Sequence, residues 1–301
     1  MRELSKPSTA QYNQTLYTLF LLAEPKIAMP EGPEIRRAAD KIHRAIAGNL
    51  AQDVFFAFDH LKPYEDRLIG GTITQITPYG KALITAFDNG WGVYSHNQLY
   101  GKWVICKPQA VPPTGRQLRF AIHTAMKWAL LYSASEIEVL PLDQVPQHPY
   151  IAKLGPDTLD ITVTADQVAT RTLDTAFRRR RWAGLLLDQG FLGGIGNYLR
   201  SEILYVAGIH PNQRPMDCRP AQIDAFAQAA LALPQQSYRH QGITNDLALA
   251  KQLKAQGQRR RDYRHWVFGR QGKPCHRCGT AIEKHILGGR RCYVCPACQV
   301  Q

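Results

Sequence analysis

The 301-residue sequence offers no apolar run long enough to cross a bilayer. The candidate at residues 15–23 gathers Leu16, Leu19, Phe20, Leu21 and Leu22 and then stops at Glu24-Pro25-Lys26, against about 20 residues for a membrane span. It resembles a secretory signal only weakly. Acidic residues are scarce as well: 24 stand against 37 Lys and Arg, a net charge of +13. Residues 1–28 hold three basic and two acidic side chains, so the rest of the chain keeps +12. That surplus favours an anionic partner, nucleic acid first, although a basic balance alone also fits ribosomal or membrane-surface proteins. Only seven cysteines are present, four of them in paired C-x-x-C spacing near the C-terminus, with Cys106, Cys218 and Cys292 outside the pairs. The pattern argues against a disulfide framework and for a metal in a reducing compartment. A dinucleotide fingerprint is also missing, because Gly193-Gly194-Ile195-Gly196 follows a helical pattern and lacks the required glycine spacing. With 45% hydrophobic residues the chain can bury substantial cores, and its length suits two or three domains.

What is present is organised around Met29-Pro30-Glu31-Gly32-Pro33-Glu34. If Met29 is the initiator and is removed, Pro30 becomes a free secondary amine beside a carboxylate. An α-amino group has a pKa of roughly 7.7 to 8.0, against about 10.4 for lysine, so an appreciable fraction is nucleophilic at neutral pH. A secondary amine condenses with a sugar aldehyde carbon to give a cationic iminium, an electron sink for eliminations. The structural alternative is punctuation before a helix, with Pro33 in the first turn and Glu31 and Glu34 favoured by the helix dipole. Residues 1–28 are expected to be sequence upstream of the true start or a removable extension, with a regulatory or targeting role as the alternative.

Apolar residues Ile35, Ala38, Ala39, Ile42, Ala45 and Ile46 predict one amphipathic helix over 33–47, stopped at Gly48-Asn49. Strands are expected over 53–58, 71–77, 82–87, 92–95, 103–106, 118–123 and 127–132, with Asp88-Asn89-Gly90 as a hairpin turn. An antiparallel sandwich or barrel capped by the first helix follows. Lys81, after Gly80, sits where one strand turns into the next and could face a cleft or be solvated. His96-Asn97-Gln98-Leu99-Tyr100-Gly101 breaks the strand pattern; the loop either wedges into a base stack or is a hairpin with Leu99 and Tyr100 packed inward.

Beyond residue 150 the pattern turns helical. Thr164 and Gln167 have capping-box spacing, residues 177–189 and 198–206 carry apolar stripes, and a helix from Pro220 is expected to stop at Pro234. The glycines before Asn197 could cradle a phosphate on backbone N–H groups or form a tight interhelical turn. Arg178 to Arg181 is a basic run whose default reading is a solvated face. Residues 235–264 read as a Gln- and Arg-rich linker. Cys275-x2-Cys278 and Cys295-x2-Cys298, with Gly288-Gly289 as a hairpin turn between them, are what a tetrahedral structural Zn2+ requires. Cys292-x2-Cys295 is a competing pair; Cys295 and Cys298 are preferred because Pro296 suits a zinc knuckle.

Together these segments resemble the formamidopyrimidine-DNA glycosylase and endonuclease VIII family over residues 29–301, closest to the bacterial endonuclease VIII branch. The resemblance rests on Pro30 to Asp40, Tyr94 to Gly101 and Gly194 to Arg200. It implies an α+β multidomain chain: a helix-capped antiparallel β-sandwich catalytic domain at 29–150, a helix-two-turns-helix DNA-binding domain at 151–240, a basic linker at 241–264 and a four-cysteine zinc finger at 265–301. Carried over by position, it makes Pro30 the Schiff-base nucleophile and Glu31 the proton donor during base loss. Lys81 would assist β-elimination and Arg290 δ-elimination, with Arg291 a competing choice. Gln98, Leu99 and Tyr100 would fill the gap left by a flipped nucleotide, and Asn197 and Lys153 would bind backbone phosphate. Lys153 stands where related enzymes often have arginine, which argues against bidentate contact there. The implied activity is a bifunctional glycosylase and AP lyase of base-excision repair, acting as a cytoplasmic, nucleoid-associated monomer on damaged double-stranded DNA, with no membrane. Its implied substrates are oxidised pyrimidines such as thymine glycol. The alternatives are oxidised purines, or a catalytically silent DNA-binding protein if Pro30 stays blocked.

Overall fold

In a computed structural model the described residues are 30–300; the expectations for residues 1–28 lie outside them. The chain enters helix α1 (Gly32–Ile46) with Pro33 in the first turn and Glu31 at the N-cap, where the Glu34 carboxylate accepts the Glu31 N–H at 3.2 Å. The Ile35, Ala39, Ile42 and Ile46 stripe is wholly buried. It packs beneath two four-stranded antiparallel sheets. One sheet has the order β1-β6-β7-β5, from β1 (Asp53–Phe56), β5 (Lys102–Cys106), β6 (Leu118–His123) and β7 (Trp128–Tyr132). The other has the order β2-β3-β4-β8, from β2 (Ile73–Tyr79), β3 (Ala82–Phe87), β4 (Trp91–His96) and β8 (Glu136–Pro141). A short helix α2 (Glu65–Leu68) joins β1 to β2. Phe56, Phe87, Phe120, Leu83 and Ile122 fill the shared core with the α1 stripe, so the architecture is the expected helix-capped sandwich. Strand β8 was not anticipated. Its register, Ser95 opposite Ile137 and Val93 opposite Val139, turns those two residues inward while Glu138 stays exposed.

The helical region contains α3 (Ala165–Leu173), α4 (Trp182–Leu185), α5 (Asn197–Val206) and α6 (Pro220–Arg239). The capping box at Thr164 and Gln167 forms as expected. The helix expected over 177–189 shrinks to the single turn of α4. There the Trp182 and Ala183 N–H groups donate to Gln213 O and Pro211 O, so a neighbouring loop takes the bonds that would have extended the helix upstream. Nor does α6 stop at Pro234. Interior proline forfeits one helical bond, and here the last turn is held from outside: Arg37 donates to Ser237 O at 2.6 Å and Tyr238 OH to Asp40 at 2.5 Å.

The stretch read as a linker carries two helices, α7 (Leu247–Ala255), capped by Asp246 through Leu249 N–H, and α8 (Arg260–Tyr263). Buried Asn245 ties the segment down by donating to Tyr263 O. Composition concealed this order because buried polar groups, rather than an apolar stripe, secure it. The chain ends in an antiparallel hairpin, β9 (Glu283–Leu287) and β10 (Arg290–Val294). Its turn is Gly288-Gly289, both at positive φ (60° and 71°), a conformation that twists with the strands and that only glycine adopts freely twice in succession.

Candidate active site

Glu31 is the residue on which the site converges. It is only 3% exposed, and its carboxylate sits at the N-terminus of α5, where Gly196 N–H (2.8 Å) and Leu199 N–H (3.2 Å) donate to Oε2 and Tyr198 N–H (2.8 Å) to Oε1. The glycine turn is therefore an anion cradle, as its sequence allowed, but the anion it holds is a side chain of the protein. The approach favours glycine: a Cβ on Gly196 would lie 2.5 Å from Glu31 Cδ, so the carboxylate would have to leave its donors to make room. Gly32 N–H donates to Gly194 O at 2.8 Å, which fastens the residue after Glu31 to the same turn.

Burial raises the Glu31 pKa to about 7, against the opposing pull of Lys81 and of the backbone donors from Tyr198 and Leu199. A carboxyl poised there can give up a proton at neutral pH. Lys81 is pushed down from the usual lysine value, first by burial and then by the Arg290 guanidinium, while Glu31 pulls the other way. Its backbone is fixed: Lys81 N–H donates to Tyr150 OH at 3.0 Å, and Gly80 N–H to Asp157 at 3.1 Å. Glu31, Lys81, Asn197 and Arg290 line one cavity of about 210 Å³ with His96, Leu187, Gln189 and Gly196. Four of the sequence-expected residues thus meet across a separation of some 260 positions, and Pro30 is the half-buried residue preceding Glu31. Arg290, not Arg291, borders the cavity.

The other expected residues stand apart from that cavity. Gln98, Leu99 and Tyr100 form an exposed turn between β4 and β5, with Leu99 39% and Tyr100 63% exposed, which removes the inward-packed alternative. Gln98, at φ 48°, is pinned by Ser135 Oγ at 2.5 Å and by its own donation to Glu136 at 2.9 Å. Lys153 is exposed. Cys275, Cys278, Cys295 and Cys298 hold their sulfurs within 4.8 Å of one another, so they can hold a metal ion. Cys292, the competing choice, lies buried on β10 with its sulfur 3.8 Å from Ser201 Oγ. Sequence reasoning missed His96, Leu187 and Gln189 as lining residues. His96 opened the stretch already singled out at 96–101 without being given a role, while nothing in the periodicity marked Gln189.

A sandwich whose capping helix holds the Glu31 carboxylate at its N-cap, a helix presenting backbone donors to it and a four-cysteine hairpin delivering an arginine to the same cavity define the class. The chain belongs to the formamidopyrimidine-DNA glycosylase and endonuclease VIII family: residues 29–135 match the formamidopyrimidine-DNA glycosylase N-terminal domain and residues 154–247 the formamidopyrimidine-DNA glycosylase H2TH domain. It is 48% identical over 271 residues to Endonuclease 8 of Escherichia coli strain K12 / DH10B, covering 90% of this chain and 100% of that protein. Endonuclease 8 of Klebsiella pneumoniae subsp. pneumoniae is 47% identical over the same span. A crystal structure of wild-type Lactococcus lactis Fpg (MutM), in complex with DNA containing an oxidized pyrimidine, shares the fold. Its TM-score is 0.75 at 21% identity, with 90% of this chain and 100% of that one covered.

Proposed function

We propose that this protein is a bifunctional DNA glycosylase and AP lyase of base-excision repair that removes oxidised pyrimidines from double-stranded DNA. The observation that carries the reading is the Glu31 carboxylate, next to Pro30 in sequence and held near neutrality on a cavity it shares with Lys81 and Arg290. A damaged nucleotide leaves the duplex, and weakened stacking or pairing lowers the cost of extruding it. The Pro30 amine attacks the sugar C1′, Glu31 delivers the proton the departing base needs, and the iminium at C1′ acidifies the C2′ proton. Lys81 and Arg290 then stand beside the sugar for β- and δ-elimination, leaving a one-nucleotide gap with phosphate on both ends. Asn197 and Lys153 bind backbone phosphate, and Gln98, Leu99 and Tyr100 enter the vacated stack; the display of Leu99 and Tyr100 to solvent supports that role.

The four thiolates suit Zn2+, whose closed tetrahedral site supplies folding energy and no chemistry. It would hold the hairpin that carries Arg290 toward the cavity. The division proposed for the chain is 29–150, 151–240, 241–264 and 265–301, with the protein acting as a cytoplasmic monomer that meets DNA through its positive charge. Among the described residues no helix is long and apolar enough to cross a membrane. The test uses duplexes carrying thymine glycol or 8-oxoguanine and protein beginning at Pro30. Incision of the first with phosphate on both ends is expected. Preference for 8-oxoguanine would move the substrate class to oxidised purines, and binding without incision would reduce the protein to a DNA-binding role.

A further inference from the structure

We infer that Gln189 is the positioning residue that sets the Glu31 carboxylate, by cross-linking the glycine turn that cradles it. The Gln189 side chain is half-buried at the cavity wall. Its Nε2 donates to Leu187 O at 3.2 Å and to Ile195 O at 3.0 Å, and its Oε1 accepts Gly194 N–H at 3.1 Å. Its own carbonyl accepts Gly155 N–H at 2.9 Å. The side-chain amide therefore ties the middle of the turn, Gly194 and Ile195, back to Leu187, and the main chain of the same residue anchors it to the segment entering the helical region.

What the turn presents on its other side is the clamp on the N-terminal segment. Gly194 O takes the Gly32 N–H, and Gly196 N–H, two residues further on, donates to Glu31. Gly194 itself sits at φ +89°, and glycine backbone has the greatest freedom to wander when unrestrained. Gly193, Gly194 and Gly196 bring no side chains of their own to stiffen the turn, so its shape depends on bonds from outside it. Gln189 supplies two of those bonds, to Ile195 O and from Gly194 N–H, while bordering the space where the chemistry is placed. With both Nε2 bonds and the Oε1 bond made within the protein, the side chain is committed to the turn. It touches the reaction only through Glu31.

The inference rests on the reading of Glu31 as proton donor, and its test separates the two. Gln189→Met keeps length and bulk but removes all three bonds; Gln189→Glu keeps an acceptor for Gly194 N–H and loses both Nε2 bonds. Losing backbone donors disfavours the charged carboxylate, so the Glu31 titration, followed by NMR of glutamate labelled at the carboxyl carbon, should move upward from about 7 by about one unit in Gln189→Met. Excision of a damaged base should lose roughly tenfold in kcat with KM unchanged, while cleavage at a preformed abasic site stays within about threefold. If Gln189→Met does not fold, Gln189→Glu is read by the same measurements and must move in the same directions. An unmoved Glu31 titration with unchanged kcat overturns the inference. So does a rise in KM alone, which would make Gln189 a DNA contact. Wild-type protein that binds but does not excise would defeat the functional reading instead, and the titration would still decide the role of Gln189.

Discussion

Glu31 and Glu202 are two buried glutamates attached to the same helix, and they live differently. Glu31 is 3% exposed at the N-terminus of α5, and Glu202 is 0% exposed within it. Burial raises the pKa of both, and backbone donors oppose the rise in both. The oxygens of Glu202 are taken by Thr244 Oγ1 (2.5 Å) and by the Trp266 (2.7 Å), Val267 (2.9 Å) and Phe268 (2.9 Å) N–H groups, all from the segment leading into the cysteine hairpin. Glu31 accepts three donors but also borders a cavity, with Lys81 as the charge that acts on it most. A perturbed carboxyl is a catalytic candidate only where something can reach it. Glu202 instead fastens the C-terminal region to the helix whose other end holds Glu31.

Removing the metal site should separate the two most drastically, because it takes away what Glu202 fastens and leaves the Glu31 cradle in place. Cys278→Ser, or chelation, is expected to abolish DNA binding and incision while circular dichroism shows the sandwich and the helices still folded. Full incision by verified metal-free protein would contradict this.

Glu31→Gln should come next, lowering base excision by about 10² to 10⁴, a barrier increase of roughly 3 to 5 kcal/mol. Cleavage of a preformed abasic site, whose base is already gone, should fall by less than about tenfold. Equal losses on the two substrates would deny Glu31 a specific part in base loss.

Glu202→Leu should reverse that pattern. It strands the Trp266, Val267 and Phe268 N–H donors at about 1 kcal/mol or more each, so urea unfolding should register a loss of about 3 kcal/mol or more, with excision by the protein that remains folded close to wild type. A stable but inactive variant would make Glu202 part of the chemistry.

The gentlest probe is pH. A proton donor with a pKa of about 7 is charged above that value, so excision should decline as pH rises through 7, approaching tenfold per unit, while abasic-site cleavage lacks that limb. A flat excision profile between pH 6 and 9 would sever the carboxyl from the rate.

Much of this was legible in the chain. The α1 stripe, seven of the eight sandwich strands and the two cysteine pairs carry period, turn or spacing signals that local chemistry determines. Strand β8 carried one too, in the alternation of Glu136, Ile137, Glu138 and Val139, but it followed directly on a region already crowded with strands. The continuation of α6 past Pro234 and the order of residues 241–264 depend on bonds from Arg37, Asp40 and Tyr263, hundreds or tens of residues away, and no local pattern encodes them. The same holds for the site. The sequence marked Glu31 and the glycine turn separately, yet that one is the ligand of the other emerges only when α1 and α5 meet. Gln189 was invisible because its partners are main-chain carbonyls and an N–H, which any sequence supplies.

The central claim, that Pro30 is the nucleophile, is tested most directly by trapping. A proline inside a chain has a tertiary amide nitrogen without a usable lone pair, so only a protein whose N-terminus is Pro30 can form the iminium there. Protein expressed from Met1 and protein expressed from Met29, each checked by mass spectrometry, are incubated with damaged duplex and borohydride, which reduces the iminium to a stable crosslink for peptide mapping. The account expects a crosslink at Pro30 in the shorter protein and none in the intact longer one. A normal crosslink yield from the intact longer protein, mapping to a lysine such as Lys81, would contradict it.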